Sequence, residues 1–378
     1  MHATPCRRTL RGLWAGLIGL SGLLAGPAPS LACTRVLFTA SDGSVLTGRS
    51  MDWAEDMRSN LWAFPRGMER TGAGGSHTPR WRSRYGSVVV SGYDLGTADG
   101  MNEKGLVANL LYLAESDYGP ANGKPVLSIS LWAQYVLDQF ATVQEAVAHL
   151  RTQPFRVVAP KLPNGQGAQL HLSLSDSTGD SAILEYINGN LVIHHGRQYT
   201  VMTNSPNFDQ QLALNSYWQS IGGMAFLPGT NRAADRFARA SFLLKAIPRQ
   251  VDPSYIGAVP ERRFGFQALA SVLSVVRSVS VPLGITTPGQ PNIASTIWRV
   301  VSDQQRRVIL FDSVTSPSVF WVSLDQLDLS PGTPVRRLRV AGGQVFAGEA
   351  ASRFETATPF AFLPAAGLPR PSAGPSAR

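Results

Sequence analysis

Beyond residue 32 the chain carries a single cysteine, Cys33, so no internal disulfide can staple the fold it adopts. The only other cysteine, Cys6, lies in a segment built for removal. Arg7, Arg8 and Arg11 form a charged start, Leu13 to Leu24 is an apolar stretch, and Pro27 and Pro29 interrupt it. Ser30-Leu31-Ala32 then sets small residues at the −3 and −1 positions. This is the three-part layout of a cleaved secretory signal, expected over residues 1–32. Its apolar stretch falls short of the ~20 residues needed to span a bilayer. No later segment reaches 18 uninterrupted apolar residues. The chain from Cys33 is therefore expected to be exported, periplasmic or secreted, without stable membrane insertion.

Without disulfides the fold must rest on burial, and 44% apolar residues are ordinary for a globular chain. A length of 378 residues allows one large domain. The formal net charge of +9 falls once the leader is removed, leaving 31 basic against 25 acidic residues. No basic cluster stands out, so a nucleic-acid partner is not expected. One cysteine cannot build a zinc site, and His77, His149, His171, His194 and His195 follow no metal-binding spacing. Adjacent His194 and His195 read as a strand end whose side chains point to opposite faces. Neither a metal nor a cofactor is expected.

Cleavage after Ala32 makes Cys33 the first residue of the mature chain. Three readings follow. The thiol is acylated, as in a lipoprotein, although Ser30 stands at −3 where such signals usually have Leu. It is an accidental free cysteine. Or it is an N-terminal nucleophile, whose α-amino group serves as its own base. A free thiol has a pKa near 8.5. An α-amino group titrates at about 7.7–8.0, so a useful fraction is a neutral base near pH 7. Side chain and amine on one residue need no distant histidine.

The segment after Cys33 reads as a hairpin. Cys33 to Thr39 and Ser44 to Asp52 have strand character, and Asp42-Gly43 is a two-residue turn signal. That turn pairs residues whose numbers sum to 85 and sets Asp52 opposite Cys33. A carboxylate there would orient the amino group and set its pKa. Arg49 falls on the other face, so sharing a site with Asp52 calls for a bend or bulge.

Cys33-Thr34-Arg35 through Gly48-Arg49-Ser50-Met51-Asp52-Trp53 resembles the choloylglycine hydrolase family of N-terminal nucleophile hydrolases. Gly100-Met101-Asn102-Glu103-Lys104-Gly105-Leu106, Thr203-Asn204-Ser205-Pro206 and Ala234-Asp235-Arg236-Phe237 are similar to its further motifs, in the same order. The resemblance implies an α+β, four-layer αββα sandwich over residues 33–364. It also implies hydrolysis of a small-molecule N-acyl amide: penicillin V, an acyl-homoserine lactone or, as an alternative, a conjugated bile salt. Cys33 would be the nucleophile, Arg49 would favour its thiolate, and Asp52 would orient the amino group. Asn204 would donate to the oxyanion, and Arg236 is the second arginine of the site. A backbone N–H of Leu111 or Tyr112 would complete the oxyanion pair, where many bile salt hydrolases have Asn. Family members are often tetramers, so a homotetramer is an implied assembly.

Trp53 and Tyr112 are candidate substrate-binding residues, with Trp62, Phe64 and Tyr118 as further aromatics for an acyl pocket. Val126 to Phe140 has helical spacing. Thr142 to Leu150 is expected to be a second helix, with Thr142 as N-cap and Glu145 at the third position. Ala168 to Ser175 and Ser181 to His195 are expected strands, the latter turned at Asn188-Gly189. Asn231 to Ile247 and Phe264 to Val279 read as helices, and Ile297 to Phe311 and Val319 to Leu324 as strands. Arg70 to Arg84, rich in Gly and Arg, reads as a mobile surface loop at the place of the family's substrate-shaping loop. Ala365 to Arg378 reads as a disordered tail.

Overall fold

The structure, a computed structural model, describes residues 32–286 and 294–366. Of the expected signal over 1–32, residues 1–31 lie outside the described residues, as do residues 367–378 of the expected tail over 365–378. In chain order the first strands are β1 (Thr34–Thr39), β2 (Val45–Trp53), β3 (Leu61–Phe64), β4 (Glu69–Thr71), β5 (Arg80–Arg82), β6 (Ser87–Gly92), β7 (Gly96–Asn102) and β8 (Val107–Tyr112). There follow β9 (Val126–Ser128), α1 (Trp132–Gln139), α2 (Val143–Arg151), β10 (Arg156–Val158), β11 (Leu170–Ser175), β12 (Ser181–Ile187), β13 (Asn190–His195) and β14 (Val201–Met202). The remainder comprises α3 (Phe208–Ile221), α4 (Ala233–Ala246), α5 (Phe264–Ser278), β15 (Ser295–Asp303), β16 (Val308–Ser313), β17 (Phe320–Ser323), β18 (Arg336–Leu338), β19 (Gly348–Glu349) and β20 (Glu355–Thr356).

Two large sheets dominate. The first has the order β14-β1-β2-β15-β16-β17-β19, the second β13-β12-β11-β8-β7-β6-β3-β18-β20. Among the described residues their pairings are antiparallel, apart from a parallel β17–β19 edge. Helices α4 and α5 pack on β1, β2 and β15 of the first sheet, while α1 and α2 pack on the second. The inner faces meet. Thr47 and Ser175 share a hydrogen bond of 2.7 Å across the sandwich, and Arg35 donates to Leu174 O at 3.2 Å. This is the expected αββα layering. Gly48 explains how close α5 comes: a Cβ there would lie 2.6 Å from Val276 Cγ2.

Several local expectations are met. Thr142 caps α2 by accepting from Glu145 N–H at 3.2 Å. Asn188 and Gly189 both adopt positive φ (50° and 74°), as a tight turn between β12 and β13 requires. His194 and His195 turn to different partners, Asp209 and Asp180.

Three expectations are corrected. The first hairpin pairs Thr34 with Ser50 and Arg35 with Arg49, so paired numbers sum to 84. The loop has three residues: Ala40 N–H donates to Ser44 O, and Gly43 alone takes the left-handed conformation, with φ 85°. The helix expected from Val126 begins at Trp132. Val126–Ser128 instead forms β9, whose parallel partner is β10. Arg70 to Arg84 is no mobile loop either. It folds back as β4 and β5, and both strands grip one buried carboxylate. Arg70 Nε lies 2.8 Å from Asp138 Oδ2, and Trp81 Nε1 donates to the same oxygen at 2.8 Å. Removing one partner of a buried ion pair typically costs about 3–5 kcal/mol. Asp138→Ala is therefore expected to lower the urea-unfolding free energy by that amount, and an effect below about 1 kcal/mol would show that the hairpin is not anchored there.

Candidate active site

Strand alternation divides the site between the two faces of the first sheet. The odd-numbered residues of β2 point into the sandwich: Thr47 to Ser175, Arg49 to Leu110 O. The even-numbered ones point to the helices, with Gly48 under α5. Cys33 continues β1 by one residue, and its Sγ lies 3.9 Å from Met51 Sδ. The thiol thus sits on the inner face with Arg49 and Met51. Asp52 lies on the helix face with Arg236. No bend of β2 is needed to bring both groups to Cys33, because that residue ends the strand and meets both faces. The irregularity lies in the neighbouring strand, where β15 shifts register between Thr296 and Trp298. It brings Thr296 Oγ1 to donate to Asp52 Oδ1 at 2.6 Å.

The main chain of Cys33 is held by two long-range partners. Its N–H, still part of the peptide bond to Ala32, donates to Asn204 Oδ1 at 2.6 Å. Its carbonyl accepts from Arg236 Nη1 at 2.6 Å. The same Nη1 donates to Thr34 Oγ1 at 2.6 Å, and Nη2 donates to Asn204 Oδ1 at 2.8 Å. Asn204 Nδ2 in turn donates to Tyr112 O at 2.7 Å. The structure thereby separates the two backbone candidates. Leu113 N–H donates to Gln169 O of the segment leading into β11, so Leu111 also faces β11. Tyr112 faces away from it, towards Asn204. Leu111 is buried in the core outside the cavity, and Tyr112 is the oxyanion candidate that remains.

Burial governs the charges. Cys33 is 1% exposed, and burial pushes its thiol up from the ordinary range, opposed mainly by the Arg49 cation. Burial likewise raises Asp52 to about 6 against the pull of Arg236, Thr296 and Arg49. Asp99, 3.9 Å from Arg49 Nη1, is raised to about 6 for the same reason. The Arg49 guanidinium stacks 4.6 Å from the Trp298 ring centroid and donates to Leu110 O at 2.9 Å. Its Nη1 and Nε make no hydrogen bond. A buried cation with spare donors beside a thiol favours the thiolate.

The thiol opens on an apolar cavity of about 80 Å³, open to the centre of a water-sized sphere. Trp53 and Tyr112 line it, as expected from the sequence. Trp62, Phe64 and Tyr118 do not. They pack in the second core, between the second sheet and its helices. Residues 70–84 contribute nothing to the cavity wall. Met57, Tyr93, Leu170 and Leu363 do, and Asp99, Thr296 and Trp298 support the charged groups. Sequence reasoning missed these. Asp99 directly precedes the Gly100–Leu106 motif, but only the pairing of β7 with β8 brings it to Arg49.

A family model described as linear amide C–N hydrolases of the choloylglycine hydrolase family matches residues 33–336. The chain belongs to the choloylglycine hydrolase family. It is a hydrolase acting on linear amide C–N bonds, with the N-terminal nucleophile hydrolase fold. A penicillin V acylase of Pectobacterium atrosepticum is 47% identical over 363 residues, covering 91% of this chain and 96% of the relative. The solved penicillin V acylase of Agrobacterium tumefaciens superposes with a TM-score of 0.79 at 53% identity, covering 89% of this chain and all of that one. A mutant conjugated bile acid hydrolase from Clostridium perfringens shares the fold, with a TM-score of 0.68 at 21% identity, covering 83% and 98%.

Within this choloylglycine hydrolase, Arg49 is the nearest brake on the upward displacement of the Cys33 thiol pKa. Removing a group that favours the thiolate raises that pKa further, so less thiolate is present at a fixed pH. Arg49→Met is expected to move the midpoint of Cys33 alkylation by iodoacetamide to higher pH. At pH 8, alkylation should slow about tenfold for each whole pH unit that the midpoint moves. An unchanged pH profile would separate Arg49 from the thiol.

Proposed function

We propose that the exported, processed chain begins at Cys33 and uses that residue as an N-terminal nucleophile on small N-acyl amides, penicillin V and acyl-homoserine lactones among them. The observation that carries this is that Cys33 and Tyr112 line one apolar cavity, while the Asn204 side chain bonds both the Cys33 N–H and the Tyr112 carbonyl. The α-amino group freed from Ala32 takes the thiol proton, and Sγ attacks the amide carbonyl. The developing oxyanion is held by Asn204 Nδ2 and the Tyr112 N–H. The protonated amine delivers its proton to the leaving amine, and water then hydrolyses the thioester. Asp52 Oδ2, a buried carboxylate oxygen with no hydrogen-bond partner, is available to accept from the new ammonium.

The lining of the cavity supports the substrate class. Trp53, Met57, Tyr93 and Leu170 give it an apolar wall that suits a phenyl ring or an acyl chain. The names of the Pectobacterium and Agrobacterium relatives point the same way. Burial speaks against the lipoprotein alternative, because two lipid chains on Cys33 have no room in this cavity. The combination of leader and processing points to the periplasm or beyond.

Amine release from penicillin V and from an acyl-homoserine lactone tests the reading. Cys33→Ala should abolish both activities. Asn204→Ala, checked for a folded circular dichroism spectrum, should lose about 10²–10³ in kcat. Full activity in the Cys33→Ala protein would contradict the assignment.

A further inference from the structure

The family match ends at residue 336, yet the chain continues in ordered form and returns to the cavity. The returning segment is fastened along its length. Phe360 and Phe362 pack on Phe64, and Arg70 stacks over Phe362. Leu363 N–H donates to Leu95 O at 2.8 Å. Its carbonyl accepts from two hydroxyls, Ser128 Oγ at 2.6 Å and Ser130 Oγ at 2.8 Å. Ala365 N–H donates to Ala73 O at 2.9 Å. Between these anchors the Leu363 side chain, 1% exposed, forms part of the wall of the cavity that holds the thiol. Cys33 belongs to the first sheet, whereas every anchor of Leu363 belongs to the second sheet or to the strand and turn covering it.

We propose that Leu363 is a specificity-determining residue, the end stop that sets how long an acyl chain the cavity accepts. This rests on the cavity being the acyl site of the proposed function. A stop whose own backbone makes three hydrogen bonds, with a fourth at Ala365, cannot swing aside as a surface loop would. Leu363→Ala removes three carbons from the wall and should admit about three more from the ligand. Each buried methylene strengthens binding about fourfold, so the gain for a chain three carbons longer than the parent's optimum is expected at about ten- to sixtyfold.

The test uses straight-chain carboxylates from four to twelve carbons, titrated calorimetrically into the Cys33→Ala protein and its Leu363→Ala derivative. Arg49, with its spare donors, provides for the carboxylate. Affinity should rise with chain length to an optimum and then fall in the parent, with the optimum about three carbons longer in the derivative. Leu363→Val, a milder change for a buried position, should shift it by about one carbon, which covers the case of a poorly folded alanine variant. Identical length profiles in all the proteins, or no length dependence in any, would overturn the end stop. Amide hydrolysis by the Cys33 chain is read separately. Its absence alongside an intact length shift would count against the catalytic reading while leaving the end stop in place.

Discussion

One guanidinium fixes the geometry of the site. Arg236, fully buried on α4, donates to the Cys33 carbonyl, the Thr34 hydroxyl, the Asn204 side chain and the Asn231 carbonyl. Those groups come from the start of β1, the segment after β14 and the loop before α4. A buried cation demands this many acceptors, since each one missing would leave charge desolvated. The same guanidinium holds the Asn204 side chain between the Cys33 nitrogen and the Tyr112 carbonyl. Burial lowers the affinity of Arg236 for its proton, and the neighbouring Asp52 works in the opposite sense. The pair lies behind the sheet, away from the cavity.

The sheet between them acts as a partition. Because successive residues of β2 face opposite ways, Arg49 and Met51 belong to the thiol, and Ser50 and Asp52 to the amine and the helices. A nucleophile in mid-strand could meet only one of those environments. Placed one residue before β1, Cys33 presents its side chain to one face while its nitrogen lies at the open end of the strand. Signal cleavage at that bond would turn an amide nitrogen, now bonded to Asn204, into a titratable amine. The chemistry and the export step then share a single peptide bond.

Much of this was legible in the sequence because it is local. The capping Thr142, the Asn188-Gly189 turn and the paired strands follow from short-range rules. Cys33, Arg49, Asp52, Asn204 and Arg236 were named from motifs, and the structure brings all five together. Register was not legible. Asp42-Gly43 fits a two-residue and a three-residue loop alike, and the difference of one residue moved Asp52 to the opposite face from the thiol. The Arg70–Arg84 segment looked solvated because its composition is polar, whereas Asp138, from a distant helix, makes its arginine a buried anchor. Helix α3 went unrecognised, its exposed Leu214 and Tyr217 blurring the amphipathic pattern. Leu363 carried no local signal, since its role depends on where the C-terminal segment docks.

The mechanism turns on the nitrogen of Cys33 being a free amine. The most direct measurement compares penicillin V hydrolysis by two purified chains of verified intact mass, one beginning at Cys33 and the other retaining Ala32. Activity is predicted only in the chain that begins at Cys33, with both chains equally folded by melting temperature. Equal activity in the chain that retains Ala32 would contradict the mechanism, because there the nitrogen is an amide and cannot take the thiol proton.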